Sequence, residues 1–163
     1  LPTNCLHDRL MLVLVGIAAV LLVLNFIIQL GVIGLSIQYL MGRAKKHPLG
    51  KSQWEDNMTL AVILLMILVA HLFQIALWAA SFMWIGEFEK FSEAFYRSAV
   101  NFASLGYGDI VMSEEWRLLG ALEAAVGVMM FGVSAALLFS ILSKLIRLQL
   151  QSLGYNSDGD PKP

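Results

Sequence analysis

The chain has 163 residues, of which 58% are hydrophobic and 14% are charged, and its formal net charge is −1. The hydrophobic fraction exceeds the roughly 45–50% of an ordinary soluble domain, which argues against a soluble enzyme and favours a membrane protein. The near-neutral charge gives no sign of a nucleic-acid partner, and the one cysteine cannot form a disulfide framework.

Three segments without charged residues are each long enough to cross a membrane. They run from Leu10 to Gly42, from Asn57 to Gly86 and from Ala124 to Ser143. A spanning helix needs about 20 apolar residues, so we predict an all-α membrane protein with three transmembrane helices. The sequence contains neither an HExxH nor a GxSxG motif, and we expect no enzymatic activity.

The basic residues predict the orientation of the chain. The connection between the first two segments and the residues that follow the third carry a cluster of cations: Arg43, Lys45, Lys46, Lys51, Lys144 and Arg147. Cytoplasmic loops are rich in lysine and arginine. We therefore expect a multi-pass protein of the cell (plasma or inner) membrane, with the N-terminus outside and the C-terminus in the cytoplasm.

A short amphipathic helix is predicted over residues 91–103. Phe91, Phe95 and Phe102 recur at helical spacing, and Ser92 is a suitable N-cap residue. Such a helix reaches only about 20 Å, which is too short to span a membrane and suits a re-entrant helix.

The sequence SLGYGD, residues 104–109, follows this short helix directly. Its two glycines permit positive φ, so that successive carbonyls can face one axis. Rings of carbonyl oxygens can replace the water around a cation, and non-helical backbone is tolerated in a membrane where it lines a wet cavity. The expected ion-binding residues are Ser104, Leu105, Gly106, Tyr107 and Gly108, with Asp109 at the outer mouth.

The order of helix, short helix, GYGD and helix resembles the pore domain of potassium channels. The resemblance is to the bacterial two-helix-pore type with an extra N-terminal helix, and it covers about residues 57–147. It implies a re-entrant pore helix, a selectivity-filter loop, and a homotetramer in which each chain supplies one filter loop. It implies passive K+ conduction, with K+ bound at Ser104, Leu105, Gly106 and Tyr107, and no other cofactor or small-molecule substrate.

The resemblance divides the chain into three parts. Residues 1–56 hold the first transmembrane helix and a basic cytoplasmic loop, and residues 57–147 form the pore module. Residues 148–163 are predicted to be a short disordered cytoplasmic tail. Membrane lipids are the expected surroundings, and no nucleic-acid partner is expected.

Two positions depart from the family's common Thr-Val-Gly-Tyr-Gly motif. Ser104 stands at the threonine position and Leu105 at the valine position, which keeps a weakly selective monovalent cation channel as the alternative. A non-conducting membrane subunit is a further alternative. Residues 106–109 also fit the GxGD pattern of intramembrane aspartyl proteases, but no second aspartate lies within the charge-free segments.

Three residues of the last transmembrane helix are candidates for roles beside the filter. Glu123 is expected to brace the filter from behind, since a lone carboxylate in a membrane needs a partner; direct contact with the ion is the alternative. The resemblance makes Gly127 or Gly132 a candidate gating hinge, and close helix packing is the competing explanation.

Polar residues also interrupt the first two transmembrane segments. Asn25 and Gln29 share one face of the first helix, which predicts hydrogen bonding between helices. His71 and Gln74 lie midway along the second segment. His71 fits a neutral, hydrogen-bonded side chain better than a proton sensor.

Overall fold

The structure is a computed structural model, described for residues 2–46, 49–50 and 52–153 and for the side chains from residue 11 onwards. These residues form four helices and no strand: α1 (Pro2–Lys46), α2 (Gln53–Trp84), α3 (Phe91–Phe102) and α4 (Arg117–Ser152). The helices α1, α2 and α4 are long and apolar enough to cross a membrane. The predicted all-α class with three transmembrane helices is therefore confirmed.

The long helices extend past the charge-free segments. Helix α1 continues through Arg43 to Lys46, whose cations suit the negative end of the helix dipole. Helix α4 continues to Ser152, so residues 148–152 are helical and the predicted disorder is wrong there. The rest of the predicted tail, residues 154–163, lies outside the described residues.

The short helix α3 occupies the predicted place between α2 and α4. Its N-cap residue is Lys90, which has extended backbone and makes no side-chain cap. Ser92 lies one position inside the helix, so its prediction as the N-cap is wrong. The ammonium of Lys90 instead lies 3.2 Å from the carboxylate of Glu93 in the first turn.

The chain forms two compact units, and each long helix contributes to both. The first unit contains α1 up to Gln29 together with residues 71–131. Its core contains residues of all four helices. The largest fully buried side chains in it are those of Trp78, Phe82, Phe102, Leu119 and Met130.

The second unit contains residues 30–70 and the part of α4 from Gly132 onwards. Its core is a small aliphatic cluster of Ile63, Ile67, Ile141 and Leu145. An ion pair of 3.2 Å between Arg43 and Glu55 joins α1 to α2 in this unit.

The connection between α1 and α2 is hydrogen-bonded to α4 within the second unit. The buried carboxylate of Asp56 accepts bonds from the Gly50 amide at 3.1 Å and from the Gln149 side-chain amide at 3.0 Å. The Ser152 hydroxyl donates to the Gly50 carbonyl at 3.2 Å. Gly50 has φ +85°, and a Cβ there would lie 2.8 Å from the Leu148 carbonyl carbon, so the loop backbone rests directly on α4.

Candidate functional site

The loop that follows α3 alternates between two backbone conformations. Ser104, Gly106 and Gly108 have φ values of 56°, 60° and 74°, whereas no positive φ occurs at Leu105 or Tyr107 between them. In an ordinary strand successive carbonyls point to opposite sides. Alternation between left-handed and right-handed backbone permits successive carbonyls to face the same side.

The end of α3 explains why a serine adopts positive φ. The Ser104 amide donates to the Asn101 carbonyl at 2.8 Å, and the Leu105 amide donates to the Val100 carbonyl at 2.9 Å. This pair of bonds is a Schellman motif, in which the residue after the C-cap is left-handed and is commonly glycine. The loop therefore leaves the helix in a direction fixed by two hydrogen bonds.

The loop is open on the outside of the single chain. Residues 103–109 are all exposed, including the apolar side chain of Leu105 and the ring of Tyr107, which is 66% exposed.

Buried hydrogen bonds join α3 to α2 and α4 on the side of α3 that faces the protein interior. Glu123 of α4 is fully buried and accepts a bond from the Asn101 side-chain amide at 3.0 Å. It also hydrogen-bonds the Ser98 hydroxyl, whose oxygen lies 2.9 Å from the Ile75 carbonyl of α2. Glu123 thus connects α4, α3 and α2 behind the loop.

Asp109 lies at the C-terminal end of the loop, where its carboxylate is hydrogen-bonded. The Tyr96 hydroxyl donates to Asp109 Oδ2 at 2.6 Å, and the Ile110 amide donates to Oδ1 at 3.0 Å. The bond from Tyr96 is the main cause that lowers the pKa of the Asp109 carboxyl. The same bond raises the pKa of the Tyr96 hydroxyl. Both shifts favour the state in which Tyr96 keeps its proton and donates it in a hydrogen bond to the Asp109 carboxylate.

An ion-channel family profile matches residues 58–144, which is more than half of the chain. The match begins in α2 and includes α3, the loop and most of α4. The chain belongs to this ion-channel family. Comparisons with curated proteins and with solved structures gave no match.

Family membership fixes the general class of the protein. It is a membrane protein that conducts ions passively, and it belongs to no enzyme family. The matched residues lie within the predicted pore module, residues 57–147.

The two candidate hinge glycines of α4 have different surroundings. A Cβ at Gly127 would overlap the Phe102 carbonyl oxygen, whereas a Cβ at Gly132 would meet nothing within 4 Å. Gly127 therefore permits close contact between α4 and the end of α3. No such contact explains Gly132, and the gating role of both residues stays a prediction.

Three residues that hydrogen-bond at the site were not predicted from the sequence. Tyr96, Ser98 and Asn101 all lie on α3 and bond Asp109 or Glu123. Ser98 and Asn101 are three positions apart on a largely apolar helix, a spacing that puts them on one face. Together with the lone carboxylate of Glu123, this spacing was the signal that could have found them.

The described residues contain no group of three or more histidine, cysteine or acidic side chains that could hold a metal ion. Within the loop, the candidate ligands for an ion are the backbone carbonyls and the Ser104 hydroxyl. Oxygen ligands of this kind suit alkali cations.

Proposed function

We propose that the protein is a homotetrameric potassium channel whose filter is the loop SLGYGD. The observation that carries this proposal is the alternating backbone at Ser104, Gly106 and Gly108, directly after a short helix that is braced from behind. Carbonyls that face one side can form successive rings of oxygens when copies of the loop surround one axis.

Four copies are proposed because one chain supplies only one wall of such a pore. Open, partly apolar loops on four chains would be covered by symmetric assembly around the axis. The K+ ions would be coordinated by the carbonyls of Ser104, Leu105, Gly106 and Tyr107, with the Ser104 hydroxyl at the inner end. Asp109, held as a carboxylate by Tyr96, would attract cations to the outer mouth.

The proposed orientation in the cell membrane follows from the cations. Arg43, Lys45 and Lys46 end α1, and Lys144 and Arg147 lie near the end of α4. By the positive-inside rule both ends are cytoplasmic, and the filter loop then opens to the outside.

A weakly selective monovalent cation channel is the second candidate. Ser104 lacks the methyl group of the threonine common in potassium channels, and Leu105 is larger than valine. A serine hydroxyl has more rotamer freedom than a threonine hydroxyl, which would loosen the innermost ring of oxygens.

Ion flux into liposomes that contain the purified protein tests the proposal. K+ and Na+ gradients are imposed separately, with and without barium. We expect barium-sensitive K+ flux with little Na+ flux. Equal flux of the two ions would establish the weakly selective alternative, and absence of flux under all gradients would contradict conduction by this chain alone.

A pair of glycine variants separates the filter from general damage. Gly108 and Gly86 have φ values of 74° and 82°, and a Cβ at either would meet nothing within 4 Å. The substitutions Gly108→Ser and Gly86→Ser therefore impose a similar local strain at different places. Of this pair, only Gly108→Ser should abolish K+ selectivity. Gly106→Asp should abolish it as well, and normal selectivity in either Gly106→Asp or Gly108→Ser would refute the filter assignment.

A further inference from the structure

Four buried polar residues of α1 and α2 are linked by hydrogen bonds in the first unit, Asn25 through its backbone carbonyl and the others through their side chains. They are Asn25 and Gln29 of α1 and His71 and Gln74 of α2, and none is more than 6% exposed. Buried polar groups destabilise an apolar interior unless they are hydrogen-bonded. The arrangement of their hydrogen bonds therefore indicates what the cluster does.

The hydrogen-bond directions in the cluster are fixed by chemistry. The Gln74 side-chain amide lies 3.1 Å from the Asn25 backbone carbonyl and 3.3 Å from Gln29 Oε1. A backbone carbonyl can only accept, so the NH2 group of Gln74 must face α1. Its oxygen then faces His71 Nδ1 at 2.9 Å, and His71 Nδ1 must carry a hydrogen.

The ring of His71 lies against the end of the pore helix. Its centroid is 5.9 Å from that of Phe102 and 4.7 Å from that of Phe131, and the two phenylalanine rings are 5.5 Å apart. Phe102 is the last residue of α3, and its carbonyl is the group that requires Gly127 to lack a side chain. Ser104, the first filter residue, follows two positions later.

We propose that His71 is a positioning residue for ion selectivity, held in place by α1 through Gln74. The inference rests on the proposed potassium-channel function. Gln74 fixes the hydrogen on Nδ1 and with it the orientation of the ring. The ring supports Phe102, and Phe102 sets where the filter backbone begins. Helix α1, which lies outside the family match, thereby becomes part of the selectivity apparatus.

The K+/Na+ flux ratio of three variants in liposomes tests the inference. Gln74→Leu removes the link to α1, His71→Phe keeps a ring without the Nδ1 donor, and His71→Asn keeps a donor without the ring. We expect each to lower the flux ratio by roughly 2- to 30-fold while the tetramer stays assembled. Gln38→Leu, at an exposed position of α1 in the second unit, is the matched control and should leave the ratio unchanged.

A spectroscopic measurement tests the hydrogen-bond arrangement without ion flux. Nitrogen-15 NMR of the labelled full chain in liposomes should show a hydrogen bound to Nδ1 of His71, assigned by its loss in His71→Phe. A bare Nδ1 in the wild-type protein would overturn the inference and leave the proposed function intact.

The flux outcomes distinguish the inference from the function on which it rests. Unchanged flux ratios in Gln74→Leu and His71→Phe, with a selective wild type, would overturn the inference alone. Lower thermal stability at an unchanged ratio would do the same, because it is the result of a purely structural role. A wild-type protein that does not prefer K+ would overturn the proposed function and the inference together. If Gln74→Leu does not assemble, Gln29→Leu takes its place, because it removes the Gln29 acceptor of Gln74 and leaves the Asn25 carbonyl as the second acceptor.

Discussion

At the residue scale, the contrast between Gly127 and Gly132 gives a direct prediction. A Cβ at Gly127 would overlap the Phe102 carbonyl, whereas a Cβ at Gly132 has open space. Gly127→Ala should lower the free energy of unfolding by about 1–3 kcal/mol through overpacking, and it should disturb ion flux. Gly132→Ala should be neutral or slightly stabilising, because alanine favours a helix. Thermal unfolding of both variants in detergent is the measurement, and equal losses would contradict the assigned contact.

The bond between Tyr96 and Asp109 predicts a pH dependence. Because the pKa of Asp109 is lowered in the folded protein, the bond stabilises the carboxylate above its ordinary pKa and is lost as the pH falls through the lowered value. In Tyr96→Phe, Asp109 should take up its proton at a higher pH. The acid limb of the K+ flux profile should then move towards neutral pH.

The titration of Asp109, followed by carboxyl NMR, measures this shift directly. Tyr39→Phe is the matched control, since Tyr39 lies in the second unit. Superimposable titration curves for wild type and Tyr96→Phe would show that the bond does not control Asp109.

Two substitutions of Glu123 can separate the effect of its charge from the effect of its hydrogen bonds. The Ser98 hydroxyl has a single hydrogen but contacts both the Glu123 carboxyl and the Ile75 carbonyl. A glutamine at 123 can donate to Ser98 and accept from Asn101, which leaves Ser98 free to donate to Ile75. We therefore expect Glu123→Gln to retain stability.

Glu123→Ala should instead lower the free energy of unfolding by about 1–3 kcal/mol for each buried group left unpaired. Thermal unfolding distinguishes the two variants, with the exposed Glu89→Ala as a control. A glutamine variant as unstable as the alanine variant would mean that the charge, not the hydrogen bonds, sustains the site.

At the scale of elements, the loop between α1 and α2 is predicted to stabilise the second unit through its contact with α4. Alanine at Gly50 would adopt an unfavourable φ and also collide with Leu148, whereas alanine at Gly86, with φ +82°, meets nothing. Each substitution should cost about 1–2 kcal/mol for the backbone, and Gly50→Ala should cost about 1–3 kcal/mol more for the collision. Chemical denaturation of both variants measures the difference. Equal effects would exclude a tight contact between the loop and α4.

The helices themselves were largely predictable, because a charge-free segment of about 20 residues has few alternatives in a membrane. Their ends were not. Hydrogen bonding carries α1 to Lys46 and α4 to Ser152, past the first charged residues. The start of α3 at Phe91 was predicted, but its N-cap residue was not, since Lys90 takes that position without any side-chain cap. Such ends depend on tertiary contacts that a local pattern does not contain.

The backbone of the loop at residues 104–108 was predictable for the opposite reason. The two glycines on either side of Tyr107 permit positive φ, so the sequence itself indicates the backbone conformation there. The positive φ of Ser104 instead arises from the C-terminal cap of α3. The partners of Glu123 come from α3, more than twenty positions earlier in the chain. A distant pairing of this kind needs the fold before it can be recognised.

At the scale of the whole molecule, the single cysteine offers a test of orientation. Cys5 precedes the first charge-free segment, and the proposed topology puts it outside the cell. A membrane-impermeant thiol reagent should label the protein in intact cells. A variant with Cys5→Ser and Lys45→Cys, which moves the thiol to the exposed end of α1, should be labelled only after lysis. The reverse pattern would invert the topology.

The Schellman motif at the end of α3 has a consequence for protein engineering. Restoring the family's usual threonine is the obvious consensus design, yet position 104 has φ 56°, where a β-branched residue is a genuine outlier. Ser104→Thr would therefore either strain the helix cap or force the first residue of the proposed filter into another conformation. The departure from the common motif and the shape of the backbone belong together, so a designer who changes one must also redesign the other.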